Sequence, residues 1–532
     1  MKKILVPFAD THQFSSLIDD YLSGEKSLQP FYDLPPELKS FEQAITRRKN
    51  MPCDRHVLYS RLVHQYGTLL NNQEESSQKV SGAISLLKNE NCFTVTTGHQ
   101  LNIFTGPLFS IYKIITTIKL ANELSRSYPE YQFVPVFWMA SEDHDFEEIS
   151  QFNIFGKPIT WNRNPGGAVG RMNLEEIQQV IENVKQLLGE DALGVEIFES
   201  AYMHSATLAE ATRKIMHALF GALGLVVIDG DDTDLKRLFI PEMHEDLVTN
   251  KSFVAVTETS KQLSEIHKIL VQPRPINLFY LGEGSRERIV KSENGNYEVL
   301  NTNLVFTVDE LIAELNVRPD KFSPNVLLRP MYQEKILPNL AYIGGPGELQ
   351  YWLQFKEAFI TNNISFPILI LRNCILFVDK SSSAKLEKLG LTVPDLFKST
   401  DTLILKVLEN SAEIHVGTAE INSLIQKIYS ELSNEWERLD ASLVASVESE
   451  KQKALKGLSG LEEKARRAMK KKNESVVNQV KNLKEKLFPS GGLQERNENF
   501  LSFYSKSELN FIKDIIKLSD PFEKQFVVFI ED

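Results

Sequence analysis

The sequence predicts an α/β protein: a parallel-sheet core interrupted by two insertions and followed by a long helical arm. Two short runs that read as strands, a Thr-rich one over residues 93–97 and an apolar one over residues 133–140, flank an apolar helix over residues 107–125. Strand, helix and strand within about 45 residues imply a right-handed parallel crossover. Each run ends in polar groups, Thr97-Gly98-His99-Gln100 after the first and Glu142-Asp143-His144-Asp145 after the second. A strand end, a glycine turn and a following helix start make up the layout of a nucleotide-handling α/β enzyme. Beyond residue 385 the texture turns helical and highly charged, which predicts the arm.

The elements follow in order. The opening, Lys2-Lys3-Ile4-Leu5-Val6, is too short an apolar run for a signal sequence and reads as an edge strand. The rest of residues 1–90 is mostly helical, with a break at Leu34-Pro35-Pro36 and a helix end or loop over residues 71–78. After the first strand, Gly106-Pro107 opens the crossover helix with proline in its first turn. Residues 154–161 resemble a hairpin, Pro165-Gly166-Gly167 a turn and residues 174–188 a polar amphipathic helix, together an insertion. The core resumes with a helix over residues 207–220 and a buried strand running into Asp229, Asp231 and Asp232. A second insertion contains the Pro273 and Pro275 crossing and an Asn294-Gly295 hairpin turn. Leu340-Ala341-Tyr342-Ile343 then leads into Gly344-Gly345-Pro346-Gly347-Glu348, a helix through Ala358, and core strands over residues 366–371 and 375–378.

In the arm, Ile421, Ile425, Ile428, Leu432, Trp436, Leu439, Leu443 and Val447 are spaced 4, 3, 4, 4, 3, 4, 4, an 11-residue period that suits a straight or slightly right-handed pair. A second stripe runs from Leu458 to Leu487 and stops at Pro489. The reversal falls either at Asp440-Ala441-Ser442 or within residues 457–460. The first placement makes the second helix roughly 70 Å long. So long a stripe must be buried against a second subunit or, alternatively, on its own core. The chain closes with a strand over residues 526–530. The division is a core over 1–385 with insertions near 152–200 and 250–328, an arm over 386–490, and a segment over 491–532 that returns to the core.

Composition narrows the class. With 532 residues the chain exceeds the ~250–300 at which one core stops growing, so two or more domains are expected. A net charge of -12 argues against a duplex nucleic-acid partner. No apolar run approaches the ~18 residues of a membrane span. Cys53, Cys92 and Cys374 are scattered without metal spacing, as in a reducing cytoplasm, and no zinc cluster is expected.

Several residues could carry chemistry. His99, with Thr97, Gln100 and Asn102, puts four hydrogen-bonding groups at one strand exit, suited to phosphate; the alternative is a buried structural histidine. Glu142, Asp143, His144 and Asp145 could bind a substrate amine, orient a general base, or hold a divalent metal with Asp229 or Asp231; otherwise they are solvated loop charges. Gly344, Gly345, Gly347 and Glu348 resemble an anion loop, without the lysine and Ser/Thr of a P-loop, or form a plain turn. Arg329 and Gln333 could contact a carboxylate or phosphate. Lys380, Ser381 and Ser382 on one side of the arm, and Arg496 and Asn497 on the other, suggest a second ligand pocket at its root.

Thr97-Gly98-His99-Gln100, Gly106-Pro107, Glu142-Asp143-His144-Asp145, the run from Leu337 to Glu348, and Gly492-Leu493-Gln494-Glu495-Arg496 together resemble the bacillithiol biosynthesis cysteine-adding enzyme family over nearly the whole chain. The resemblance implies a Rossmann-like core with two connecting-peptide insertions, related to class I aminoacyl-tRNA synthetases, and a coiled-coil arm that makes a homodimer. It implies a cytoplasmic ligase joining the carboxyl group of cysteine to the amine of glucosaminyl-malate, the last step of bacillithiol synthesis, with ATP or ADP bound. Gly98 and His99 would match the end of the synthetase His-x-Gly-His motif, whose leading histidine is Thr96 here; no Lys-Met-Ser-Lys-Ser loop is recognisable. Adenylate or acyl phosphate, and a metal requirement, stay open. Under this resemblance His99 would stabilise phosphate charge and Asp143 or Asp145 the amine. Arg329 or the Gly344 loop would hold a carboxylate, and the arm's root a second nucleotide. The alternative is a dimeric nucleotide-binding scaffold with a degenerate site.

Overall fold

A computed structural model describes residues 1–51, 53–71, 73–163, 166–411, 417–507 and 510–531. Pro165 of the expected turn lies outside the described residues, as does residue 72 of the expected loop. The strands, in chain order, are β1 (Lys2–Val6), β2 (Cys92–His99), β3 (Gln132–Met139), β4 (Gln151–Ile154), β5 (Lys157–Thr160), β6 (Val226–Asp229), β7 (Leu278–Gly282), β8 (Ser285–Lys291), β9 (Tyr297–Val299), β10 (Val305–Phe306), β11 (Phe322–Pro324), β12 (Asn339–Gly344), β13 (Ile368–Leu371), β14 (Ile375–Val378) and β15 (Phe526–Ile530).

The core is a parallel sheet in the order β13-β12-β2-β3-β6. Its chain path runs outward from β2 through β3 to β6, then returns to add β12 and β13 on the other side of β2. This is a Rossmann-like, doubly wound arrangement, and the reversal opens a crevice beyond the carboxyl ends of β2 and β12. Register places Thr97 beside Ile343 and His99 beside Met139. Both faces are covered, which is why the strands lack an alternating polar face and even the threonines of β2 are buried. The crossover helix Phe109–Ser127 buries Ile111, Ile114, Ile115 and Ile118.

Local chemistry shifts some expected boundaries. The crossover helix starts at Phe109 rather than Pro107, because Phe104, Thr105 and Gly106 all take positive φ, at 51°, 67° and 62°. At Gly106 a Cβ would also stand 2.6 Å from Asn102 Cβ. The helix after Gly345 ends at Trp352, and a second begins at Lys356, instead of one helix through Ala358. β14, expected in the core sheet, pairs in parallel with β15 in a separate sheet ordered β1-β15-β14. The Arg372 amide donates to Gly344 O and the Asn373 amide to Thr116 Oγ1, turning the chain away before β14 begins. β1 is an edge strand, as its lysines suggest. β4 and β5 form the expected hairpin, and β11-β7-β8-β9-β10 form an antiparallel sheet with Gly295 in the β8–β9 turn at φ 89°.

In the arm, helix Ala419–Glu437 packs on helix Leu443–Lys472, and Asp440 accepts from the Ser442 amide at 2.8 Å in the turn. The reversal is therefore the first of the two expected placements. A third helix, Glu474–Leu487, continues past Asn473 and buries Val477, Val480, Leu483 and Leu487. Farther out the stripe is open: Leu439 is 78% exposed and Leu461 62%.

After the arm the chain re-enters the core through one buried ion pair. Glu495 receives both Arg372 Nη1 and Nη2, at 2.9 and 2.7 Å, and the Ile375 amide at 2.9 Å; the two side chains are 0% and 2% exposed. Asn499 Nδ2 donates to Phe104 O and Gly106 O, pinning the positive-φ loop. Removing one partner of a buried pair leaves an uncompensated charge, whereas removing both does not. Glu495→Ala is expected to cost roughly 3–5 kcal/mol, and Arg372→Met combined with Glu495→Met to recover most of it in urea unfolding.

Candidate functional site

Four elements meet at the crevice between β2 and β12. β2 brings Gly98 and His99; the crossover helix brings Lys113; helix Leu328–Ile336 brings Arg329; the helix start after β12 brings Glu348. Lys113, 2% exposed, donates to both carboxylate oxygens of Glu348 at 2.9 and 2.8 Å and to Gly98 O. Glu348 also accepts from the Tyr342 hydroxyl at 2.7 Å and the Gly345 amide at 2.8 Å. Burial pushes the Glu348 carboxyl up, but Lys113 and these hydrogen bonds outweigh it and hold it at about 2. The Gly344-Gly345 turn thus carries the chain's own carboxylate on the Gly345 amide, while Gly347 is exposed.

His99 packs edge-on against Phe109, ring centroids 5.1 Å apart, and its Nε2 is buried without a hydrogen-bond partner. Burial, reinforced by the Lys113 and Arg372 charges, pulls its imidazole down to about 3. A neutral ring can donate or accept at such a nitrogen, according to its tautomer. Arg372 Nε is likewise buried without a partner, 3.6 Å from where a Cβ on Gly345 would stand.

Charge is unbalanced here. Lys113 is neutralised by Glu348 and Arg372 by Glu495, whereas Arg329 donates to the neutral Gln333 Oε1 at 3.2 Å and interacts with the Tyr351 side chain. Its Nη1 lies 3.5 Å from a Cβ position on Gly98, beside His99. A guanidinium so placed suits a carboxylate or phosphate. Thr97, in contrast, is fully buried and donates to Ile343 O, holding the two strands together.

At the ends of β3 and β6 the acids close on cations. Lys236, 1% exposed, sits 2.5 Å from Glu142 and 3.1 Å from Asp231, which also takes Arg171 at 2.5 and 2.7 Å. Burial raises the Glu142 carboxyl; for Asp231, Lys236 and Arg171 outweigh burial and lower it. Among the described residues no three His, Cys, Asp or Glu come together to hold a metal ion. Asp143, after β3, accepts from Gln100, which donates to it at 2.7 Å and to Glu148 at 2.9 Å. Burial acts to raise Asp143, yet Gln100 and Arg286 outweigh it and keep the carboxylate ionised. Asp145 caps helix Phe146–Ile149 from an exposed position, and Asn102 holds Glu148 O. His144 is exposed, its Nδ1 3.1 Å from Arg286.

The arm's root brings Ser381 onto Lys486 at 3.1 Å and Ser382 under the Asp379 cap, with the Lys380 amide on Glu531. Asn497 Nδ2 is spent on Leu493 O, and Arg496 lies on the same short helix Gln494–Asn497. Sequence reasoning missed Lys113, Tyr342, Arg372, Lys236 and Arg286. Lys113 and Arg372 each interrupt an otherwise apolar buried run, which is the signal that marks them.

Residues 1–373 match the family described as "Bacillithiol biosynthesis BshC, N-terminal Rossmann-like domain", and residues 375–531 match "Bacillithiol biosynthesis BshC, C-terminal coiled-coil domain". Proteins named "Putative cysteine ligase BshC" from Flavobacterium johnsoniae and Christiangramia forsetii are each 39% identical, over 98% of this chain and 98% of their own. One of that name from Bacillus cereus is 27% identical over 94% of this chain and 95% of its own. A solved structure titled "putative arginyl t-RNA synthetase" from Campylobacter jejuni aligns at 12% identity and TM-score 0.21 over 84% of this chain and 98% of that one, too slight a likeness to carry an argument. This chain belongs to the bacillithiol biosynthesis BshC family.

A depressed imidazole pKa has a direct readout. In nuclear magnetic resonance titrations His99 is expected to stay neutral as pH falls through 6.5, its ordinary value, and to charge only near about 3. Because the unfolded chain takes that proton earlier, His99 withdraws stability as pH falls below 6.5, an effect that His99→Asn removes.

Proposed function

We propose that this protein is a ligase that joins the carboxyl group of cysteine to the amine of glucosaminyl-malate, the last step of bacillithiol synthesis, after nucleotide-dependent activation of the carboxyl. The observation that supports this best is the crevice itself: a half-buried cation, Arg329, donating to a neutral amide beside the unused nitrogen of a neutral His99. Amide formation from a free carboxylate needs an activated acyl group. In the proposed reaction a cysteine carboxylate oxygen attacks a phosphorus of ATP, releasing pyrophosphate or ADP. The amine nitrogen then attacks the acyl carbon, loses a proton, and expels AMP or phosphate.

The roles follow from position. Arg329 holds the anionic group, and His99 donates from Nε2 to a phosphoryl oxygen as charge develops there. Asp143, kept ionised beside Gln100, holds the substrate amine. Relatives named as cysteine ligases along nearly the full chain support the reaction class. The exposed apolar stripe of the arm, Ile421, Leu424, Ile428 and Leu461, supports a homodimer built through it. A cytoplasmic setting, where ATP and free thiols are available, completes the reading. Among the described residues no helix is long and apolar enough to cross a membrane.

Incubating the protein with glucosaminyl-malate, cysteine and ATP is expected to yield bacillithiol by mass spectrometry, with AMP marking an adenylate and ADP an acyl phosphate. His99→Ala is expected to abolish the product while circular dichroism stays native. Nucleotide binding without any product would instead favour a scaffold. Replacing residues 418–487 with a short linker is expected to bring the mass seen by light scattering down to that of one shortened chain, and a dimer of shortened chains would sink the arm's assembly role.

A further inference from the structure

Behind Arg329 lies a buried carboxyl that the reaction does not touch. Glu334, fully buried, follows Gln333 on helix Leu328–Ile336. Its Oε1 accepts from Gln333 Nε2 at 2.9 Å and from Asn339 Nδ2 at 2.7 Å, while Oε2 is buried without a partner. Gln333 turns its other end to the crevice, where Oε1 accepts from Arg329 Nη1. Asn339 is fixed in turn by the hydroxyls of Thr94 and Thr96, at 3.1 and 2.8 Å. One amide therefore separates a buried acid from the guanidinium at the mouth of β2.

This arrangement is poorly suited to a structural ion pair. Both neutral donors fall on one oxygen, and the other has neither donor nor water-facing side, a geometry that fits the protonated acid better than the anion. The charged groups around it are Arg48, from helix Ser40–Lys49, whose Nη2 is committed to Leu337 O at 2.5 Å, and Arg329, from its own helix. From β12 it meets an amide, Asn339, which the β2 hydroxyls of Thr94 and Thr96 hold in turn.

We propose that Glu334 is a positioning acid for Arg329: protonated, it leaves the guanidinium's charge available to an anionic ligand, and ionised, it offsets that charge through Gln333 and loosens the ligand. This rests on the crevice being the anion site. Burial, opposed by Gln333 and Arg48, raises the Glu334 carboxyl to about 7. His99 and Glu348, at about 3 and about 2, hold their charge state across neutral pH and do not contribute there.

Sulfate, whose charge is constant across this range, is the probe for titration calorimetry on the full-length protein. Its affinity is expected to fall about tenfold from about pH 6 to about pH 8, the size of an interaction worth one pKa unit. Glu334→Gln preserves the acceptor for Gln333 and Asn339 and is expected to hold the pH 6 affinity flat to within about twofold; Glu334→Met serves if that variant does not fold. A merely structural role would change affinity without changing its pH slope. If Arg329→Gln leaves sulfate binding intact, the crevice reading fails. If Arg329→Gln abolishes binding but Glu334→Gln retains the wild-type slope, the role of Glu334 alone is overturned.

Discussion

The Lys113–Glu348 ion pair is the interaction on which the rest of the site depends. It exists because the chain, having built outward from β2 to β6, returns to lay β12 parallel on the other side of β2, bringing the crossover helix and the helix after β12 to one crevice. Lys113 also holds Gly98 O, and Glu348 also holds the Gly345 amide and the Tyr342 hydroxyl, so both strand ends are fixed by one pair of charges. Breaking such a pair on one side costs about 3–5 kcal/mol against a total stability of about 5–15. The chain's own carboxylate therefore occupies the glycine turn, and the free cationic character of the crevice is left to Arg329.

A second consequence concerns the arm. Arg372 precedes the break between β13 and β14, yet the carboxylate that neutralises it, Glu495, comes from the segment after the arm. Asn499 from that same segment donates to the carbonyls of Phe104 and Gly106 in the positive-φ loop, and Glu498 receives the amides of Phe155 and Gly156 at the β4–β5 turn. Two walls of the crevice and the neighbouring hairpin are thus tied to the stretch by which the arm returns. The coiled-coil part completes the Rossmann-like part, which gives a physical reason for both to lie in one chain.

The core strands were legible because parallel strands buried on both faces carry few charges: β3, β12 and β13 read as largely apolar runs and β2 as a β-branched one. The same rule placed Gly98, His99 and the Gly344 turn at strand ends, whereas the arm's spacing ran through its reversal, and only the capping capacity of Asp440 and Ser442 marked that site as one of two choices. What periodicity does not carry is pairing. β14 has the same apolar texture as β13, and only the tertiary capture of the Arg372 and Asn373 amides sends it to another sheet. Lys113 was hidden as a buried charge among several buried polar residues of one helix, and Glu142 read as a free acid because its partner Lys236 is 94 positions away. Buried charge is legible in sequence only when both partners are near in sequence.

The central claim is that the β2–β12 crevice binds the phosphoryl and carboxylate groups of an activated substrate. Crystals of the protein grown with cysteine and a non-hydrolysable ATP analogue test it most directly. Phosphate oxygens within hydrogen-bond reach of Arg329 and His99 Nε2 are the predicted result. Phosphates seated only at the arm's root, near Ser381 and Ser382, with the crevice empty of ligand, would contradict it.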